Sequence, residues 1–325
     1  MFYPDHARYA KLAAAELGVE FVDLNDGNGY LFALVGPSGM FLSGAGTVCS
    51  YPINNASSLT IARDKAHTKK VLSHFGIPVI PGCHFFLSDD YAKLRNAGHE
   101  AGDAHAYAAS LGFPLFCKPL AGGRGNFAEV VRDAAELDAY IARVRRHFDA
   151  ILIEPFIRGD EYRVVIHDGM PIYTTSKRQA AVHGDGVHSV AALLEELNRR
   201  LQGTGISPYT PASIAFTGFQ ETDVPPAGTV IPLAGRRNLS ALGEVESLDT
   251  SVPPELARVA TASCAALGLR LGAIDLFDVS ERRDRSELLV IEVNGNPTLS
   301  SLERAGRLDL ILRLWVSMIR ESLEL

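Results

Sequence analysis

The sequence predicts an α+β protein built as two lobes, and three observations carry that expectation. The chain has 325 residues, about two domains' worth and too long for one minimal module. Residues 113–157 read as strand, glycine-rich loop, strand, helix and strand, the order of a small α+β unit. Residues 161–293 then supply further strands with helices between them. Hydrophobic residues make up 47% and charged residues 21%, which excludes a disordered chain and leaves material for a large core.

The elements follow in order. Ala7 to Leu17 reads as a helix ended by Gly18, and Val19 to Leu24 as a strand. Arg63 to His74 is predicted as one helix with Ala66, Val71, Leu72 and Phe75 available for the core. Gly76 closes it, and Ile77 to Pro81 runs on extended. Phe113 to Pro119 is a short apolar strand, Gly122 to Asn126 a glycine-rich loop, and Phe127 to Val131 a second strand. Asp133 caps a helix with Glu136 in the capping-box position, and Leu137, Tyr140, Ile141, Val144 and Phe148 fall at core spacing. Ala150 to Ile157, Glu161 to Ile166, Met170 to Ser176 and Thr229 to Leu233 read as strands. Ser189 to Leu201 and Pro253 to Leu267 read as helices, the second ended by Gly268. Gly272 to Val279 and Glu287 to Val293 form a strand pair joined by the charged turn Glu281 to Arg285, a solvated loop tip. The last helix carries Leu308, Ile311, Leu312, Trp315 and Ile319 on one face, which suits core packing.

Composition removes several functions. The net charge of −7 lacks the basic surface that duplex nucleic acid requires. No run of 18 apolar residues is present, so no spanning helix is expected. Asp5, Arg8, Lys11 and Glu16 interrupt the N-terminus, which leaves no signal-peptide core. Cys49, Cys83, Cys117 and Cys264 are isolated, the usage of a reducing cytoplasm, and each reads as a small buried apolar residue. The expectation is a cytoplasmic protein without nucleic-acid or membrane partners.

Three clusters carry chemistry. Lys65, in Arg63-Asp64-Lys65 at a helix start, can combine its charge with the positive helix end to hold phosphate; taken alone it reads as an exposed helical lysine. Lys118 stands in an apolar strand, where a lysine is costly without a negative partner. The loop behind it brings backbone N–H groups close to an anion or simply turns a hairpin; it matches neither a Walker loop nor a dinucleotide fingerprint. The third cluster is Asp275 on one strand with Glu292 and Asn294 on another, the last two sharing a face by the period of two. Oxygen ligands of this kind suit Mg²⁺; the alternative is a polar-faced strand pair with no metal.

Lysine, strand lysine with glycine-rich loop, Glu154-Pro-Phe-Ile, then Asp275 and Glu292-Val-Asn resembles, in that order, the ATP-grasp superfamily. Ala62 to Lys69, Gly184 to Val190, Asn238-Leu239-Ser240 and Ile291 to Asn294 are similar to the ATP-grasp regions of cyanophycin synthetase and bifunctional glutathione synthetases. The likeness spans residues 60 to 305 and implies an ATP-grasp fold, two α+β lobes enclosing the nucleotide. It implies an ATP-grasp domain over 61–325, with 112–158 as the small lid lobe, behind a short N-terminal α/β segment over 1–60. By that resemblance Lys65 and Lys118 contact ATP phosphates, and Gly122, Gly123, Arg124, Gly125 and Asn126 close over them. Glu154, Phe156 and Ile157 would take the adenine and Glu161 the ribose. Asp275, Glu292 and Asn294 would carry one or two Mg²⁺, with Mn²⁺ as the alternative ion. Arg163, Lys177, Arg236, Arg237 and Asn238 would serve the reacting end.

The implied reaction is ATP-dependent carboxylate–amine ligation through an acylphosphate, on small substrates such as an amino acid or short peptide; a homodimer stands open. The sequence departs from the family where Asn-Leu-Ser-Thr-Gly-Gly is replaced by Asn238 to Gly243, and where Thr298 stands for the usual glycine. Those departures motivate one alternative, an ATP-binding sensor without turnover; a further alternative keeps the acylphosphate with a thiol or carrier-protein acceptor. No polymerising activity is implied.

Overall fold

A computed structural model describes residues 3–46, 48–90, 92–122, 125–157, 159–177, 180–202, 208–214, 217–233, 245–280 and 287–325. The N-terminal segment is α1 (Asp5–Leu17) followed by β1 (Glu20–Asp23), β2 (Leu31–Gly36) and β3 (Gly39–Gly44), an antiparallel sheet in the order β1-β2-β3. Ala7, Ala10, Ala13 and Ala14 give α1 a face of small residues that lets neighbouring chain approach closely. The expected helix over 63–74 is two helices, α2 (Ala56–Arg63) and α3 (Lys65–His74). The break is at Asp64, which ends α2 and whose side chain accepts from the His67 N–H at 2.9 Å to cap α3. A carboxylate that binds backbone N–H groups competes with helix continuation.

The small lobe is β4 (Cys83–Phe86), α4 (Ala101–Leu111), β5 (Leu115–Pro119), β6 (Glu129–Val131), α5 (Ala134–Val144) and β7 (Ala150–Pro155). Its antiparallel sheet runs β4-β7-β5-β6. Leu115, Cys117, Ile151 and Ile153 join Leu137, Tyr140 and Val144 of α5 in one core. Alternation turns Phe116, Lys118 and Glu154 to the opposite face. Asp133 caps α5 as expected, accepting from the Glu136 N–H at 2.8 Å.

The chain then crosses into the large lobe with β8 (Asp160–His167) and β9 (Met170–Lys177). Residues 180–233 insert β10 (Ala181–His183), α6 (Val190–Leu201) and β11 (Val230–Pro232) around a core of their own. Then come β12 (Val245–Asp249), α7 (Pro254–Leu267), β13 (Leu271–Asp278), β14 (Leu288–Asn294), α8 (Ser300–Arg304) and α9 (Leu308–Ser322). The main sheet is antiparallel in the order β12-β9-β8-β13-β14. Its Val164, Ile166, Ile274, Leu276 and Val293 pack with α7. On the other face, Val165, Tyr173 and Ala273 pack with α1 and with Ile311, Trp315 and Ile319 of α9, the core role the sequence assigned to that helix. The charged turn over 281–285 lies outside the described residues.

Candidate active site

Apolar packing from α1 and α9 covers only part of that second face. Register places Thr175, Arg163, Asp275 and Glu292 side by side across β9, β8, β13 and β14. One step of the pleat away, Asn294 lies opposite Ala273; one step the other way, Glu161 lies opposite Lys177 and Phe277. Glu161, Arg163, Asp275, Glu292 and Asn294 therefore share one face of the sheet. A register shift between Asp275 and Leu276 bulges β14 beside Glu292. Arg163 makes a two-point ion pair with Asp275, Nε to Oδ1 at 2.8 Å and Nη2 to Oδ2 at 2.7 Å. Burial alone would lower the Arg163 guanidinium, but Asp275, and behind it Glu292, outweigh burial and raise it above its ordinary value.

Cations stand beside edge strand β14, on α3, and in the small lobe. Lys65 and Lys69 lie one turn apart on α3 and both are buried, which overturns the reading of Lys65 as an exposed helical lysine. The Lys65 backbone N–H donates to the Leu120 carbonyl at 3.4 Å and its Nζ to the Gly122 carbonyl at 3.2 Å. The start of α3 thus sits on the chain leaving β5. Lys118, the strand lysine that needs a partner, has one: its Nζ lies 2.8 Å from Glu154 Oε2. The other oxygen, Oε1, lies 2.6 Å from Lys69 Nζ, which also donates to the Ile80 carbonyl. Glu154 is only 1% exposed. Burial would raise its carboxyl, and Lys118 and Lys69 overcome that and hold it below the usual carboxylate range. Burial pulls Lys69 below the usual ammonium range despite Glu154. Gly82 makes room for this: a Cβ there would sit 2.8 Å from Glu154 Cγ and 3.0 Å from the Ile153 carbonyl.

A narrow, largely apolar crevice between α3 and β14 is lined by Ala62, Lys65, Thr68, Lys69 and Leu72 on one side and by Val290, Ile291, Glu292 and Val293 on the other. Three lysines against Glu154 leave an excess of positive charge on the α3 side. Glu161, Asp275 and Glu292 against Arg163 leave an excess of negative charge on the sheet. Such a pair of surfaces suits a polyphosphate with a divalent cation. Among the described residues no three His, Cys, Asp or Glu side chains form a metal site by themselves. Two carboxylates and an amide fit Mg²⁺ held jointly with substrate phosphates, the usual arrangement for that ion.

The remaining expected residues fall around this centre. Gly122 and Gly125 take positive φ of 133° and 66°, backbone that favours glycine. Asn126 follows in the same turn, and Gly123 and Arg124 lie outside the described residues. Phe156 packs with Phe116, Val130 and Ala212, and its N–H donates to the Pro114 carbonyl at 3.3 Å. Ile157 is half-buried where the chain crosses from β7 to β8. Arg236, Arg237 and Asn238 lie outside the described residues, as does the side chain of Lys177. The Gly184 to Val190 segment forms a tight turn: Asp185 Oδ1 accepts from the Val187 and His188 N–H groups, both at 2.8 Å, and Ser189 caps α6. A Cβ at Gly184 would meet the Pro226 carbonyl at 2.4 Å. Lys69 is the site residue that sequence reasoning passed over. Its signal was the four-residue spacing from Lys65, which puts both on one helix face.

These lobes and their order are those of the ATP-grasp fold. A family profile described as "D-ala D-ala ligase C-terminus" matches residues 71–187. Among solved structures, the D-alanine–D-alanine ligase of Bacillus anthracis superposes with a TM-score of 0.50 at 20% identity, over 83% of this chain and 72% of that one. The bifunctional glutathione synthetase of Pasteurella multocida does so with a TM-score of 0.50 at 19% identity, over 95% of this chain and 44% of that one. In sequence, the chain is 28% identical to cyanophycin synthetase of Nostoc sp. over 250 residues, 73% of this chain and 26% of the relative. It is 27% identical to the glutathione biosynthesis bifunctional protein GshAB of Enterococcus faecalis over 256 residues, 74% of this chain and 32% of the relative. The matches cover only about a quarter to a third of the length of these curated relatives.

Proposed function

We propose that the chain is an ATP-dependent, ADP-forming carboxylate–amine ligase that makes an amide or peptide bond through an acylphosphate. The observation that carries this reading is the crevice shared by Lys65, Lys69 and Glu292, to which Lys118 is joined through Glu154. The relatives' names, synthetase and ligase, support the same class. Lys65 and Lys118 hold the phosphates, the loop from Gly122 to Asn126 covers them, and Glu161 takes the ribose. Glu154, Phe156 and Ile157 form the adenine side, Glu154 through the acceptor capacity its two lysines leave. Asp275, Glu292 and Asn294 hold Mg²⁺, which when bound offsets phosphate charge.

A substrate carboxylate oxygen attacks the γ-phosphorus in line and ADP leaves; an amine nitrogen then attacks the acyl carbon, loses a proton, and phosphate leaves. The lysines neutralise charge on the transferring group, Arg163 and Lys177 with Arg236, Arg237 and Asn238 serve the acyl end, and the covering loop keeps water from the acylphosphate. The substrates in this reading are an amino acid or short peptide and a small amine. Residues 61–325 form the catalytic unit, residues 1–60 a short preceding segment, and the setting is cytoplasmic.

The test is ADP release over a matrix of amino acids, small carboxylates and amines, with hydroxylamine added to trap the acyl species. One donor–acceptor pair should give turnover, and Lys118→Ala and Glu292→Gln should each reduce it at least about a hundredfold, roughly 3 kcal/mol. Near-wild-type rates in either variant would show that the site is elsewhere. ATP-dependent stabilisation without ADP release across the whole matrix would favour a sensor instead.

A further inference from the structure

Resting on the nucleotide site proposed above, we infer that Lys69 is a positioning residue for Lys118: it shares the Glu154 carboxylate and so leaves Lys118 charge available to the phosphates. Lys118 and Glu154 lie on adjacent strands, with Phe116 opposite Glu154 and Lys118 opposite Leu152, which makes them diagonal neighbours within the small lobe. By themselves they would form a closed one-to-one pair, a neutral unit with little attraction left for an anion. Lys69 changes that balance from outside the small lobe. It reaches across from α3, which packs on α7 and β14 of the large lobe, and takes Glu154 Oε1. The Ile80 carbonyl occupies a second Lys69 donor and fixes it in place.

Glu154 therefore gives each lysine one oxygen, and the buried trio carries one positive charge more than it can satisfy internally. Beyond Glu154, Lys118 meets only the face of Phe116 among the described residues, 5.8 Å from the ring centroid. Its remaining donors are the ones a phosphate oxygen would take. Lys69 need not touch the ligand. Its effect is on the strength with which Lys118 does, and it links that strength to the contact between the lobes.

Titration calorimetry with MgATP, MgADP and adenosine on wild type, Lys69→Met and Lys69→Arg tests this. Lys69→Met, which lets Lys118 close onto Glu154, should weaken MgATP at least about tenfold, MgADP less, and adenosine less than about twofold. Lys69→Arg keeps the charge and should restore MgATP to within about threefold of wild type. Equal losses for adenosine and MgATP, or no loss for MgATP, would overturn the inference, since a purely structural role weakens every ligand alike. Wild type that binds no MgATP would instead overturn the nucleotide reading, and the role of Lys69 with it. Should Lys69→Met not fold, Lys69→Gln keeps a donor for the Ile80 carbonyl without the charge and carries the same expectation.

Discussion

Asn54 is buried among main-chain groups from two distant strands. Its Nδ2 donates to the Leu271 carbonyl at 2.7 Å and the Gly295 carbonyl at 2.8 Å, and its Oδ1 accepts from the Arg270 N–H at 2.8 Å and the Leu271 N–H at 3.1 Å. One side chain thereby fixes the start of β13 against the end of β14, the two strands that carry Asp275, Glu292 and Asn294. Asn54→Ala leaves those peptide groups without partners, at a cost of about 3 kcal/mol. Denaturant unfolding should show a lower midpoint with unchanged slope. No sequence pattern announces this residue, because its partners stand 217 and 241 residues away. Asp133 was legible for the opposite reason: its acceptor role is settled within three residues. The cysteines divide along the same line. Cys117 and Cys264 are buried as expected, and burial pushes the Cys264 thiol up to about 12. Cys49 and Cys83 are only half-buried, since one lies in a loop and the other on the edge strand β4, positions that composition alone does not distinguish.

Between elements, the contact of α1 with α8 is polar where that of α1 with α9 is apolar. Arg8 donates to both Glu303 oxygens at 2.6 Å, and the Tyr9 hydroxyl donates to Oε2 at 2.5 Å. The Arg8 hydrogen bonds, then that of Tyr9, hold the Glu303 carboxyl below the usual carboxylate range. A depressed carboxyl contributes stability that is complete above its unfolded value, 4.5, and is lost as pH falls through the folded value. The site is partly exposed, so the effect is local and modest. Hydrogen exchange should find α1 amides equally protected at pH 8 and pH 6 but less so at pH 4, and Glu303→Gln should remove that difference. Two of the elements missed in the sequence, α4 and β4, have weak patterns, whereas the apolar run of β2 was passed over. In α4 the inward residues Ala104 and Ala108 are no more apolar than the exposed Ala106 and Ala109, and β4 has only four residues. Elements with strong apolar faces, such as α5 and α9, were legible because burial alone sets their orientation.

At the scale of the whole molecule, the proposed site combines two surfaces of opposite charge from distant parts of the chain. Their residue types were legible because lysine in an apolar strand and carboxylates on adjoining strands are too costly to bury without purpose. Their convergence was expected only through the resemblance, because no local pattern shows Lys69 reaching from α3 to Glu154 of the small lobe. That arrangement predicts how stability responds to ligand. Lys69 and Lys118 share the single Glu154 carboxylate, with Lys65 one turn from Lys69 on α3, so a bound polyphosphate relieves repulsion that the free protein carries. MgATP at a hundred times its dissociation constant should stabilise the fold by about 2.7 kcal/mol, which raises the melting temperature by several degrees. Chelating Mg²⁺ with EDTA should remove more than half of that gain, because Asp275 and Glu292 then face uncompensated phosphates. Lys118→Ala should remove most of it even with Mg²⁺ present. A melting shift indifferent to EDTA would mean that Asp275, Glu292 and Asn294 do not bear a metal with the nucleotide, and that the two carboxylates serve Arg163 alone.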